Sequence, residues 1–354
     1  MGKRLIRFLI DEWLLLISLA GLAATSLYLK SWPLYTEKEM EPIFLLFALF
    51  VVVKGIENSQ LLGMIARVLE KRGRIPLLLV VVTFVLSMFV TIDVALVTVL
   101  PIVMAMNIRE KENLVILVAL TAHAGAALTP FGTPQNIFIF SYYELQTIPF
   151  IQTIAPFSFG MLLLFAIAAL FLKNRPNSGS KRKKRPISQP LALIYGVLLL
   201  IVVLCVLRIL PTGTALLALV FALFFDRKSL KVDYALLLTF IAFLGLTTNI
   251  QAMIGASLEH PMHIFILSSL MSQVISNVPT TLLMEKFTSN WQALLWGTNV
   301  GGFGTLVAAL ANLITYRIYV AGAEAGKSLS FVRKFVGAGF VAFFAGYAIF
   351  YLFY

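Results

Sequence analysis

The chain has 354 residues, of which 60% are hydrophobic and only 12% charged, and its mean hydropathy is +0.94. A soluble domain carries about 25% charged residues, so a soluble globular protein is excluded and an integral membrane protein is expected. The net charge of +12 sits in short segments between apolar runs, the pattern of positive-inside topology, and no nucleic-acid partner is expected. The apolar runs are of the length a spanning helix needs, about 20 residues, and do not alternate as barrel strands do. The fold class expected is an all-α polytopic membrane protein with membrane lipid around it. Cys205 is the single cysteine and lies inside an apolar run, so there is neither a disulfide framework nor a thiolate metal cluster.

In chain order, Lys3, Arg4 and Arg7 precede a first helix at 8–28 and place the N-terminus in the cytoplasm of a cell inner membrane. No small-residue cleavage pattern follows, so this helix is read as retained. A loop at 30–41 lies outside, and a second helix at 42–56 returns. Residues 58–74 carry Leu61, Leu62, Ile65 and Leu69 on one face with Arg67, Lys71, Arg72 and Arg74 around it, as in a helix lying on the cytoplasmic surface. Residues 75–106 are apolar apart from Asp93, with basic residues at both ends. This predicts a re-entrant hairpin that enters from the cytoplasm and turns at Thr91-Ile92-Asp93. Residues 114–143 are interrupted by Gly125, Pro130, Gly132 and Pro134, which a continuous helix does not tolerate. Two half-helices joined by an unwound linker are expected. A crossing at 153–172 completes a first repeat, 1–172.

The stretch 173–190 holds Lys181-Arg182-Lys183-Lys184-Arg185 and reads as a basic cytoplasmic linker. The second repeat, 191–354, has crossings at 191–210 and 211–225, a basic loop at 226–233 and a crossing at 234–254. A second hairpin at 262–288 turns at Ser276-Asn277-Val278-Pro279 and enters from outside. A second broken helix spans 291–320, and a last helix spans 335–353. Set without gaps, residues 123–136 and 299–312 match at Gly125 and Gly301, Thr129 and Thr305, and Asn136 and Asn312. A hairpin followed by a broken helix, twice, in opposite senses, is the plan of an inverted-topology repeat in secondary transporters.

Backbone unwinds at membrane depth only where protein or a wet cavity surrounds it, so these breaks mark the expected site. Half-helix N-termini attract anions. The substrate-binding candidates are Thr129, Thr133, Gln135, Asn136, Ser276, Asn277, Thr280 and Thr305, for a small anion held by dipoles, hydroxyls and amides. Unwound carbonyls, helix C-termini and neutral oxygens suit a hard cation such as sodium. The cation-binding candidates are Thr91, Asp93, Gly125, Asn277, Asn299 and Gly301. Asp93, a carboxylate at membrane depth, is a functional candidate by default, as a cation ligand, a proton carrier or a helix cap. His123 is a proton-relay candidate or a neutral packing histidine. No cofactor is expected beyond a coupling Na+ or H+.

At these residues the chain resembles the ion transporter superfamily of secondary carriers, which includes arsenite permeases, sodium–dicarboxylate and citrate carriers and sodium/proton antiporters. The resemblance is carried by Thr-Pro-Phe-Gly-Thr-Pro-Gln-Asn at 129–136, Ser-Asn-Val-Pro at 276–279 and Thr-Asn-Val-Gly-Gly-Phe-Gly-Thr at 298–305, and Thr-Ile-Asp-Val-Ala-Leu at 91–96 is similar to the first hairpin tip. It implies cation sites at the hairpin tips, substrate between them, an elevator-type motion and a homodimer. Ile92 stands where the first tip usually has Asn. The expected function is a secondary active transporter moving a small carboxylate or oxyanion with sodium or protons. The alternatives are a sodium/proton antiporter and an arsenite-type oxyanion efflux permease. An enzyme is not expected, since the three histidines form no His-Glu-x-x-His pair.

Overall fold

The computed structural model describes residues 12–59, 75–106, 110–172, 189–255, 257–322 and 328–354. The expected surface helix at 58–74 and the linker at 173–190 lie almost wholly outside the described residues. All regular structure among the described residues is helical. In order it comprises α1 (Trp13–Leu29), α2 (Glu37–Ser59), α3 (Ile75–Val90), α4 (Ile92–Ala105), α5 (Lys111–Ala127), α6 (Pro134–Tyr142), α7 (Thr147–Phe171) and α8 (Gln189–Val206). A 3-10 turn at Thr212–Ala215 leads into α9 (Leu216–Phe225), followed by α10 (Tyr234–Ile254), α11 (Pro261–Ile275), α12 (Asn277–Met284), α13 (Trp291–Gly301), α14 (Leu310–Gly322) and α15 (Ser328–Phe353).

The chain is a multi-pass membrane protein. α7, α10 and α15 are long and apolar enough to cross a bilayer. On α7 the exposed side chains Phe159, Leu163, Ile167 and Leu170 recur every three or four residues, so they form one stripe. α15 exposes Val341, Phe344, Ala348 and Tyr351 in the same way. A soluble monomer does not present such faces to water; hydrocarbon solvates them. The polar side chains are inside instead. α5 is buried without a gap from Leu114 to Ala127, and α13 from Ala293 to Gly301. α3, α4, α7, α14 and α15 pack around α5, while α6, α7, α11, α12 and α15 pack around α13.

α2 starts five residues before the apolar run that announced it. The reason is the Glu39 half of a capping box: Thr36 leads the helix, and the Glu39 carboxylate reaches back to accept from the Thr36 backbone N–H at 2.8 Å and its hydroxyl at 3.0 Å. The crossing expected at 211–225 is broken instead into the 3-10 turn and a ten-residue helix, because Pro211 and Gly213 sit where its first turn would form. Lys38, in the first turn of α2, pairs with Glu144 after α6. The Lys38 hydrogen bond and charge hold the Glu144 carboxyl below its usual range. This exposed pair is therefore present at neutral pH and fades as pH falls through the acid range.

The matched segments at 123–136 and 299–312 make the same bonds at the same offsets. Asn136 Nδ2 donates to the Ala126 carbonyl at 3.5 Å and the Thr129 carbonyl at 3.0 Å; Asn312 Nδ2 donates to Gly302 and Thr305, both at 3.0 Å. The Thr129 hydroxyl donates to the Met88 carbonyl at 2.9 Å, and the Thr305 hydroxyl to the Gln273 carbonyl at 3.0 Å. α3 and α4 are joined through Thr91 alone, and α11 and α12 through Ser276 alone, with φ of 119° and 73°. Positive φ at a β-branched threonine is strained backbone. Beyond each junction the first helical N–H is held by the linker of its own half: Ile92 donates to Gly132 at 3.1 Å, and Asn277 to Ala308 at 2.9 Å.

Gly125 and Gly301 serve the packing of this unit. A Cβ on Gly125 would lie 2.4 Å from the Phe84 carbonyl and the Ser87 hydroxyl, and one on Gly301 would lie 2.7 Å from the Ser272 side chain. Gly125→Ala and Gly301→Ala are each expected to cost about 1–3 kcal/mol through overpacking, read as a lower thermal midpoint of the purified protein in detergent. An unchanged midpoint for both would refute the close approach of α5 to α3 and of α13 to α11.

Candidate functional site

The breaks in the two halves meet on one cavity of about 150 Å³. Four helices contribute their first turns to its wall: Ile92 and Asp93 of α4, Pro134 and Gln135 of α6, Asn277, Val278 and Pro279 of α12, and Leu310 and Ala311 of α14. The sequence folds this way because each helix starts afresh after a break: a strained Thr91, Pro134 at the first helical position, a strained Ser276, and the Gly304-containing linker before α14, where Gly304 has φ of 99°. The partial positive charge of four N-terminal turns is thereby directed at one space.

Buried polar atoms without partners gather there. Thr133 Oγ1, Gln135 Nε2 and His123 Nδ1 have no hydrogen-bond partner, although these residues are only about 1–2% exposed, and all three residues line the cavity. Asn299 Oδ1 is a fourth such atom nearby. Its residue is tied to the site through Asn299 Nδ2, which donates to Asn136 Oδ1 at 2.9 Å, and through its carbonyl, which lies 3.2 Å from His123 Nε2. Leaving a buried donor or acceptor unpaired costs about 1–3 kcal/mol, so a cluster of them facing one cavity points to a ligand.

Of the expected site residues, Asp93, His123, Thr133, Gln135, Ser276 and Asn277 reach the cavity. Thr129, Thr280 and Thr305 spend their hydroxyls on the carbonyls of Met88, Ser276 and Gln273. Asn136 spends its amide on the linker before α6. The Gly301 carbonyl accepts from Gln273 Nε2 at 2.7 Å. Thr91 is buried at the α3–α4 junction, and its carbonyl accepts the Ala95 N–H at 3.1 Å. These residues build the breaks rather than face the cavity.

Two groups were not anticipated. Gln273 holds the second linker through three bonds, donating to Gly301 and Phe303 and accepting from the Thr305 N–H; nothing in an apolar helix marks one glutamine for this. Arg317 of α14 lines the cavity. By sequence it only marks an inner helix end, yet α14 is short enough to bring it within reach of the site. Glu12 and Asp233 lie on the same wall.

A family profile described as "Citrate transporter" matches residues 6–296, most of the chain. The chain belongs to the citrate transporter family. It is 34% identical over 308 residues to a protein named uncharacterized transporter MJ0456 of Methanocaldococcus jannaschii, covering 82% of this chain and 84% of the relative. It is also 34% identical over 309 residues to the inner membrane protein YbiR of Escherichia coli K12, covering 82% of each. As a member of the citrate transporter family the chain is a membrane transporter and not an enzyme. The family match ends before Thr298, but the bonds made by 299–312 repeat those of 123–136, which lies inside it.

Proposed function

We propose that this chain is a secondary active transporter that carries a small anion, of the citrate-like carboxylate class, across the cytoplasmic membrane with a cotransported cation. The observation that carries the reading is the meeting of four helix N-termini with the unpartnered Gln135 amide and Thr133 hydroxyl at one cavity. Such donors favour a carboxylate. α3–α4 and α11–α12 act as re-entrant hairpins entering from opposite sides, and the two halves, 1–172 and 191–354, move substrate by an elevator-type motion in a homodimer. Glu12, Asp233 and Arg317 on the cavity wall lie next to segments that positive-inside charge assigns to the cytoplasm, which supports reading this conformation as inward-facing. α10 supports this. Its first turns line the cavity up to Phe240, whereas Thr248, about 12 Å further along at 1.5 Å per residue, joins the polar cluster around Lys286.

The test is thermal unfolding of the purified protein with citrate, smaller di- and monocarboxylates, sulfate and phosphate, each as sodium and potassium salts. A ligand of the folded state raises the midpoint by mass action, worth about 2.7 kcal/mol at 100 times its Kd. The expected result is saturable stabilisation by at least one carboxylate. A second reading, a cation/proton antiporter, is favoured by Asp93 and Asp233 on the same wall. Stabilisation that follows pH or cation while no anion has an effect would select it.

A further inference from the structure

We infer that the cavity takes its substrate by one end: a single carboxylate on the side built by α6 and α12, and a short hydrocarbon body against the side built by α4 and α14. A monocarboxylate then binds more tightly than a di- or tricarboxylate of similar size. The inference narrows the carrier reading above and rests on it.

The four helix starts are paired in space: α6 packs on α12, and α4 packs on α14. The polar side chains are not shared out between these pairs. Thr133 and Gln135 stand at the start of α6, and Ser276 and Asn277 at the start of α12. The Thr133 hydroxyl and the Gln135 amide nitrogen are buried without partners, so a carboxylate that accepts from them relieves the cost of leaving them unpaired. The other side offers nothing of the kind. Ile92 opens α4, and Val307, Ala309, Leu310, Ala311 and Leu313 line the cavity around the start of α14. Hydrocarbon gains by leaving water against such a wall. A carboxylate placed there meets no side-chain donor, and a buried charge needs one.

The repeat makes this a departure rather than a general property of helix starts. In the register of the shared bonds, Ala309 stands where the first half has Thr133, Ala311 where it has Gln135, and Ile92 where the second half has Asn277. A symmetric site would carry donors at all four starts and could hold a carboxylate at each end of a ligand. Here each half keeps donors at one start only, and those two starts are neighbours. Charge adds to the asymmetry. Asp93 lies in the first turn of α4, where its carboxyl already meets the positive end of that helix and opposes a second carboxylate. Further from the breaks, Arg317 shares the wall with Glu12 and Asp233, so the acidic residues that line the cavity outnumber its arginine.

Pentanoate and glutarate have the same number of carbons and differ at the far end, a methyl group against a carboxylate. Unfolding midpoints of the purified full-length protein are recorded at neutral pH over a concentration series of each, of citrate and of ω-aminopentanoate. All are sodium salts at constant ionic strength, and apparent Kd values follow by mass action. Each compound also competes against radiolabelled citrate for uptake into proteoliposomes. Pentanoate is expected to bind on the order of tenfold or more tighter than glutarate and citrate, with citrate remaining a saturable, weaker ligand. Ala309→Thr with Ala311→Gln, which copies the first-half donors into the second half, is expected to remove this preference. Glutarate or citrate binding as tightly as pentanoate to the wild type overturns the inference, and this needs no variant to fold. Tighter binding of ω-aminopentanoate than of pentanoate also overturns it, because the far side would then hold an ammonium at Asp93. If none of the carboxylates shifts the midpoint or competes, the carboxylate reading itself falls, and this narrowing with it.

Discussion

Glu39→Ala is expected to lower the stability of the protein by about 3–5 kcal/mol, the range for breaking a buried ion pair from one side. Lys286, just past α12, pairs with Glu39 on α2, and the two side chains are only 6% and 7% exposed. The same ammonium donates to the Thr248 hydroxyl on α10. Around it, Gln251 Nε2 donates to the Lys286 carbonyl at 2.7 Å, and the Tyr143 hydroxyl donates to the Glu285 and Thr288 carbonyls at 3.0 and 2.8 Å. Glu39 also caps the start of α2 by accepting the Thr36 N–H, so its loss removes a helix cap worth about 1 kcal/mol as well. The pair itself need not be a net gain, because desolvation offsets much of the attraction. Glu39→Leu combined with Lys286→Met is therefore expected to recover most of the loss. Thermal or denaturant unfolding of the two single variants and the double variant checks both statements. A single variant as stable as wild type would show that Lys286 reaches water in the folded state.

Asn136→Ala is expected to have the second large effect, about 3 kcal/mol or more, from several buried groups left unpaired at about 1–3 kcal/mol each. Its amide donates to the Ala127 and Thr129 carbonyls, both at 3.0 Å, and its oxygen accepts from Asn299 Nδ2 at 2.9 Å. It thus closes the linker before α6 and ties it to the end of α13. Asn136→Asp keeps the shape but turns an acceptor toward two carbonyls, and is expected to be at least as damaging. Unfolding midpoints separate this role from direct contact with substrate: a contact residue would lose transport in both variants with the midpoint unchanged.

The repeat explains why part of the site was legible in the sequence and part was not. The breaks were readable, because Pro130, Gly132 and Pro134 exclude a continuous helix and Ser276-Asn277-Val278-Pro279 interrupts an apolar run. The gapless register of 123–136 on 299–312 was also readable, and the paired bonds of Asn136 and Asn312 and of Thr129 and Thr305 follow it. The polar groups of those matched residues are bonded within the linkers. Residues identical in both halves build the fold that both halves share. Polar side chains that reach the cavity lie where the halves differ: Thr133 and Gln135 against Ala309 and Ala311, Asn277 against Ile92, and His123 against Asn299.

Other features needed the third dimension. The spacing from Thr36 to Glu39 carries a cap signal, but that the same carboxylate would meet Lys286, far along the chain, depends on how α2 packs. Gln273 stands where the first half has Met88, and only the close approach of α11 to α13 reveals that it clamps a linker. Arg317 looked like a topology mark because positive charge at helix ends is so common in membrane proteins. Its place on the cavity wall follows from the late start of α14 at Leu310.

The central claim is that the four-terminus cavity binds and carries an anion, and its most direct test is uptake of radiolabelled citrate into proteoliposomes by the wild type and by Gln135→Leu. This substitution removes the unpartnered amide donor while keeping the volume. The account predicts saturable uptake by the wild type and a loss of affinity on the order of tenfold or more in the variant, as for about 1.5–3 kcal/mol from one charge-assisted hydrogen bond, with the unfolding midpoint retained. Uptake that rises linearly with citrate, or that is unchanged by Gln135→Leu, would contradict it.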